Sequence, residues 1–282
     1  MADEALDVVH LGAAPRPDDP AELARRVRQA LVSQSAGITD ASAVRVEATV
    51  DGAAVPTLDI DLTGVVVGGV RKAPPAPEPV AVKTREAGIV GRLRVDAHPV
   101  TVEGVRVDVR AEAQNVAFSW VEGTGGELAA ELVEPSEHDP LVGHVRIAAP
   151  QAEIVAAVQR IAAELATAHG VTLSRLDVEL VSRGPRAASV AVRAQLRKGF
   201  LSATAQGGAT ATVDTDLVLT IADVSVTSGN PLVAGLLAAA RSRVQAFEGR
   251  RIDLGEQLPP GIRLADVTLA IGDEVVLSAR TA

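Results

Sequence analysis

The chain has no cysteine and no tyrosine, and only one tryptophan, one methionine and three phenylalanines among 282 residues. Without cysteine, disulfides and thiolate metal sites are excluded, while the redox compartment stays open. The four aromatic side chains, Phe118, Trp120, Phe200 and Phe247, are too few for a base-stacking platform and supply few of the anchors on which most protein interfaces rely. Lysine is nearly missing as well, with Lys72, Lys83 and Lys198 set against 24 arginines. No long basic run offsets a formal net charge of −9, so nucleic acid is not an expected partner. No apolar stretch reaches the roughly 20 residues of a membrane-spanning helix. The first residues, Met1 to Asp7, carry acids where a signal peptide needs a basic start. These absences predict a cytoplasmic protein whose closest approach to a bilayer is peripheral contact.

What is present is aliphatic. Hydrophobic residues make up 47% of the chain, and at this length roughly three quarters of the unfolded surface can be buried, so Val, Leu, Ile and Ala must fill the interior. Residues 11–19 read as a loop delivering a helix. Asp19 is placed to cap it, with Pro20 at the first helical position and Glu22 at the third, in a capping-box arrangement. Leu23, Val27, Ala30 and Leu31 then form one stripe before Gly37. Strand alternation follows at Val44 to Val50 and Leu58 to Leu62 around an Asp51-Gly52 turn, a hairpin signature. The proline-rich run 73–79 cannot join a sheet interior and reads as an extended surface loop. Alternation resumes at 93–97, 105–111 and 116–120.

In the second half, a helix is predicted from Pro150 to about His169, with Ile154, Val158, Ile161 and Leu165 on one face and Gly170 past its end. Another is predicted from an Asn230 cap and Pro231 to Gly249, carrying Leu232, Val233, Leu236, Leu237, Val244 and Phe247. Strands are expected at 171–180, 190–196, 201–213, 217–226, 262–271 and 274–279, with short turns that favour antiparallel pairing. A weak internal match sets Ala21-Glu22-Leu23 and Val27 against Ala152-Glu153-Ile154 and Val158, and Val46 and Leu58 against Val178 and Val190. The pattern predicts an α+β fold, long helices packed on a strongly curved antiparallel sheet, with a divergent tandem repeat. Its segments are an N-terminal loop (1–19), a helix with antiparallel strands (20–149) and a second unit (150–282).

Catalytic chemistry is not written in the chain. The five histidines show no metal-ligand spacing, and His138 and His144 read as ordinary loop or strand-end residues. Ser136-Glu137-His138-Asp139 places triad residue types side by side, but triads are assembled in space. No nucleophile elbow occurs, and Gly123-Thr124-Gly125-Gly126 reads as a hairpin turn. Gly207-Gly208 reads as a turn or bend that lets a long ribbon curl. No catalytic residue, metal ligand or cofactor is therefore assigned. Arg241, Arg243, Arg250 and Arg251, at and beyond the last predicted helix, are placed either to hold a lipid phosphate or to solvate a helix end.

The succession Gly170-Val-Thr-Leu-Ser-Arg-Leu-Asp-Val-Glu-Leu, the strand Leu217-Val-Leu-Thr-Ile-Ala-Asp-Val, the helix from Pro231, Arg251-Ile-Asp-Leu and Ile262-Arg-Leu-Ala-Asp-Val-Thr-Leu together resemble the LmeA-like actinobacterial branch of the tubular lipid-binding superfamily. The resemblance covers about residues 150–282. It implies a long helix along a curved sheet, with acyl chains held between them and no chemical conversion. The lining it implies is Ile154, Val158, Ile161 and Leu165, with Val190, Val192, Leu217, Leu219 and Ile221 on the strands, Leu236 and Leu237 on the last helix, and Arg241 and Arg251 at the polar end. The expected ligand is a phospholipid or another acyl-chain molecule, bound or transferred. The rival expectation is an interaction module with a filled core, acting as a partner subunit; an exposed Trp120 would favour it.

Overall fold

Valine, isoleucine and threonine at alternate positions favour strand through most of the described residues, because β-branched side chains pack well on a pleated surface. The computed structural model describes residues 8–34, 37–38, 40–68, 80–136, 140–168, 170–198, 201–214, 218–228, 248–249, 251–253 and 264–281. The chain divides into two compact units, the first of residues 1–147, 258–266 and 279–282, the second of residues 148–257 and 267–278.

The first unit opens with β1 (Val8–Ala13) and α1 (Pro20–Gln34), followed by β2 (Arg45–Ala48), β3 (Val55–Asp61), β4 (Val66–Val67), β5 (Val82–Val102), β6 (Val105–Gly123) and β7 (Glu127–Leu132). With β8 (Val142–Pro150), β14 (Leu264–Ile271) and β15 (Glu274–Thr281), these strands form a ten-stranded sheet in the order β14-β15-β8-β6-β5-β3-β2, with β7 on β6, β1 on β7 and β4 on β5. The Asp51-Gly52 hairpin forms, pairing Val46 with Ile60 and Ala48 with Leu58. Segments 93–97, 105–111 and 116–120 belong to just two strands, of 21 and 19 residues. They turn at Glu103 (φ 50°) and Gly104 (φ 77°), a two-residue turn whose twist matches the flanking strands.

The first unit departs from expectation in its strand pairing. Residues 8–13 form a strand on β7 rather than part of a loop, and β3 pairs with β5 in parallel, Val55 opposite Val90 and Ile60 opposite Val95. That parallel pairing sets the core. Gly88 and Gly91 bring β5 close to the β3 hairpin: a Cβ on Gly88 would stand 2.6 Å from the Phe118 ring and 2.9 Å from the Ala53 carbonyl oxygen, and one on Gly91 would stand 2.8 Å from the Pro56 oxygen. Phe118 and Trp120, two apart on β6 and therefore on one face, meet edge to face at 5.0 Å. The Trp120 indole N–H donates to the Ala53 carbonyl at 2.9 Å. Around them Leu11, Leu23, Val55, Val116 and Leu128 close one core cluster, and Val44, Val65, Ala97 and Val100 close another.

α1 starts at its Asp19 cap, as the sequence indicates, but the Glu22 side chain is engaged by arginines rather than closing the capping box. The Asp19 carboxylate accepts from the N–H groups of Ala21 (3.4 Å) and Glu22 (3.2 Å). The Glu22 carboxylate turns to Arg25 (2.6 Å) and Arg26 (2.7 Å). The helix buries Leu23 and Ala30 and clamps the backbone of β1: the Gln34 amide donates to the His10 carbonyl (2.9 Å) and Arg26 to that of Ala13 (2.5 Å).

The second unit contains α2 (Gln151–Ala168), β9 (Thr172–Gly184), β10 (Ala187–Lys198), β11 (Leu201–Val213), β12 (Val218–Ser228) and β13 (Arg251–Asp253). The strands form an antiparallel meander in the order β13-β12-β11-β10-β9. α2 ends with Gly170 at φ 68°, whose N–H reaches the Thr167 carbonyl while that of Val171 reaches Ala166, a left-handed helix stop. Its Gln151 and Gln159 amides donate to the Leu180 (3.4 Å) and Leu176 (2.7 Å) carbonyls of the outermost strand, covering an edge that would otherwise offer free acceptors.

The internal match is confined to a helix and a hairpin. Shifting Val46 and Ile60 by 132 residues gives Val178 and Val192, and the same shift takes Ala48 and Leu58 to Leu180 and Val190, cross-strand pairs in both units. The paired Arg45 and Asp61 become Asp177 and Arg193, with signs exchanged. Beyond this the topologies part, since β3 joins β5 in parallel and β10 joins β11 antiparallel.

The expected α+β fold of long helices packed on a curved sheet is overturned. Strand structure accounts for 66% of the described residues, and their helices are two, of 15 and 18 residues. The physical reason shows on α2: among its described side chains the buried one is the small Ala157, while Val158 and Ile161 of the supposed packing stripe are 40% and 46% exposed. The helix predicted at 230–249 and the proline run 73–79 lie outside the described residues, apart from the turn at Glu248 and Gly249.

Two outcomes follow. Trp120→Phe leaves the Ala53 carbonyl without its indole donor and should cost about 1 kcal/mol, whereas Gly88→Ala, overpacking Phe118, should cost about 1–3 kcal/mol; urea midpoints of the two variants check this order. Hydrogen bonds from Arg25 and then Arg26 lower the Glu22 pKa from 4.5 to about 2. A lowered folded-state pKa gives stability that is complete above 4.5 and lost as pH falls through about 2. Glu22→Gln should therefore lower the melting temperature at pH 7 and make progressively less difference towards pH 2.

Candidate functional site

One face of the five-stranded sheet is apolar and its middle is hollow. Residues directly opposite on neighbouring strands share a face. On this face Val190 pairs with Ala209, Val192 with Gly207 and Ala194 with Ala205, and Gly207 pairs onward with Val226. With Ile221 and Val224 these residues line an open hollow of about 450 Å³. Its depth comes from side chains that are missing: β11 contributes Ala205, Gly207 and Ala209, while β10 and β12 raise valine and isoleucine walls on either side.

Gly207 and Gly208 lie inside a continuous strand rather than at a turn. They are required by close approach, since a Cβ on Gly207 would stand 3.0 Å from the Ser225 carbonyl oxygen and one on Gly208 3.1 Å from that of Val190. Beside them β12 bulges. Gly208 pairs with Ser225 and Thr210 with Ala222, so β12 takes three steps where β11 takes two. Asp223, the added residue, sits at φ 55°. The Glu248 carboxylate accepts from the N–H groups of Asp223 (3.2 Å) and Val224 (2.6 Å), and the Gly249 N–H donates to the Ile221 carbonyl (2.8 Å).

The opposite face is polar. Arg193 lies across from Asp177 and Gln206, and Arg175 is paired with Asp177 at 2.9 Å. The hollow itself offers no nucleophile beside a base, and among the described residues no three His, Asp or Glu side chains gather as metal ligands. What it can do is remove an aliphatic surface from water.

No protein-family model, curated protein or solved structure matches the chain.

Of the residues expected to line a ligand groove, Val190, Val192 and Ile221 come together here. Leu219 shares their face, opposite Val213, but lies outside the hollow. Ile154, Val158 and Ile161 of α2 are not part of the lining; Ile154 is half-buried and the other two are exposed. Arg251 pairs with Thr220, one residue out of phase with Ile221, so it projects from the polar face, where its guanidinium stands 3.8 Å from the Asp214 carboxylate. Leu217, Leu236, Leu237 and Arg241, the side chain of Leu165, and Glu137, His138 and Asp139 lie outside the described residues.

Missing from the sequence reading were Ala194, Ala205, Ala209, Val224 and Val226. The signal was the alternation of alanine and glycine from Ala203 to Ala211, which marks one face of a strand as having almost no side-chain volume. The first unit has an apolar hollow of its own, about 310 Å³, between Leu93, Val95, Ala111, Leu141, Val145 and Ala279. There too alanines and Gly143 leave the space.

Proposed function

We propose that this chain binds, without converting it, an acyl-chain ligand such as a phospholipid or fatty acid, held in the hollow of the five-stranded sheet. The observation that carries the reading is a concavity of about 450 Å³ whose walls are Val190, Val192, Ile221, Val224 and Val226 and whose floor is alanine and glycine. Each methylene buried there contributes roughly 0.8 kcal/mol, so eight of them give about 6 kcal/mol before the cost of ordering the chain. Such a floor grips by shape and dryness and suits a flexible aliphatic tail. The polar end of the ligand stays at the rim and is not selected by this surface, which matches a role in holding or passing on a tail.

A second reading, an interaction module that works through its surface, draws on Val158 and Ile161, exposed side by side on α2. Its expected aromatic anchor is missing, because Trp120 is only 4% exposed.

Native mass spectrometry of the freshly purified protein, with organic extraction of what it carries, tests the proposal. A discrete added mass matching an extracted lipid is the expected result. Val192→Asp sets an unpaired carboxylate into the lining, which an acyl chain cannot cover without burying an uncompensated charge, and should remove most of that mass while leaving the far-UV circular dichroism spectrum unchanged. A protein that stays apo in the presence of added oleate and phosphatidylcholine contradicts the proposal and favours the second reading.

A further inference from the structure

The bulge in β12 does more than bend a strand. Side chains alternate between the faces of a sheet with a period of two, so Ile221 and Val224, three residues apart, belong on opposite faces of a regular strand. Both line the hollow. They do so because one extra residue intervenes: β12 passes from Ala222 to Ser225 while β11 passes from Thr210 to Gly208. The added residue, Asp223, holds a left-handed backbone (φ 55°), which non-glycine residues adopt at a cost and which needs support from its surroundings. A bulge also takes N–H groups out of the ladder. Those of Asp223 and Val224 find the two oxygens of one carboxylate, Glu248, at 3.2 and 2.6 Å. The neighbouring Gly249 N–H ties the same turn to the Ile221 carbonyl at 2.8 Å.

Building on the acyl-chain reading of the hollow, we infer that Glu248 is the positioning residue of that site. Its carboxylate holds the β12 bulge, and the bulge puts Ile221 and Val224 on the same wall. Without the clamp the strand is free to return to regular pairing, which turns one of the two side chains to the polar face and opens the wall. Glu248 touches no ligand in this scheme; it acts through the backbone of Asp223 and Val224. Its loss should therefore weaken binding far more than it disturbs the rest of the sheet.

The test uses the full chain and cis-parinaric acid, a fatty acid whose fluorescence rises on burial, with Glu248→Ala, Glu248→Gln and the parent compared in parallel. Glu248→Ala should lower affinity about tenfold or more, Glu248→Gln, which keeps one acceptor oxygen, by less. Hydrogen exchange should quicken at residues 221–226 and stay unchanged in β9 and β10. Should the alanine variant fail to fold, the glutamine variant carries the comparison. Parent-like affinity in a folded variant overturns the inference while the acyl-chain reading stands. A parent chain that binds no cis-parinaric acid overturns that reading, and this inference falls with it.

Discussion

A strand assigns each residue to a face by parity alone, and most of what this protein presents follows from that constraint. On β6 it sets Phe118 and Trp120 side by side, so that one T-shaped pair and one indole hydrogen bond to Ala53 organise the first unit's core. On β10 and β11 it gathers valine and alanine on one face and Arg193 and Gln206 on the other. Where the wall of the hollow needs an exception on β12, one added residue, Asp223, changes the parity between Ile221 and Val224.

Space in such a sheet is made by leaving side chains out. Gly88 and Gly91 use that freedom to bring two backbones together and fill a core, and the neighbouring rings occupy whatever remains. Gly207 also answers a close approach, but the volume above it is not taken by any side chain lining the hollow, and a concavity results. The same device thus yields a packed interior in one place and an open concavity in another. What separates the two cases is whether a large side chain stands opposite the gap.

Local signals were legible in the amino-acid sequence. The Asp19 cap, the left-handed stop at Gly170, the Asp51-Gly52 hairpin and the boundaries of β9 to β12 depend on residues a few positions apart, and each appears close to where its chemistry indicates. The parallel pairing of β3 with β5 was not legible, because it joins segments separated by the proline-rich run and no local turn dictates it. Nor was the orientation of α2. A stripe of Ile154, Val158 and Ile161 has helical spacing, yet the helix sets Ala157 inward and uses Gln151 and Gln159 on the edge of β9, so the spacing gave the helix but not the face it buries. Within the candidate site, the large residues Val190, Val192 and Ile221 stood out and the small ones did not, since a reading based on apolar bulk overlooks positions whose contribution is the lack of it. The bulge was hidden for a related reason: Asp223 is neither glycine nor asparagine, and its support comes from Glu248, 25 residues away.

We propose that an aliphatic tail lies on the Ala-Gly floor of the five-stranded sheet. A photoreactive fatty acid with its diazirine in mid-chain, crosslinked to the native protein and mapped by peptide mass spectrometry, tests it most directly. Labels are expected within residues 190–194, 205–209 and 221–226. Labels confined to the hollow of the first unit or to the exposed face of α2, with those three segments unmarked, would contradict it.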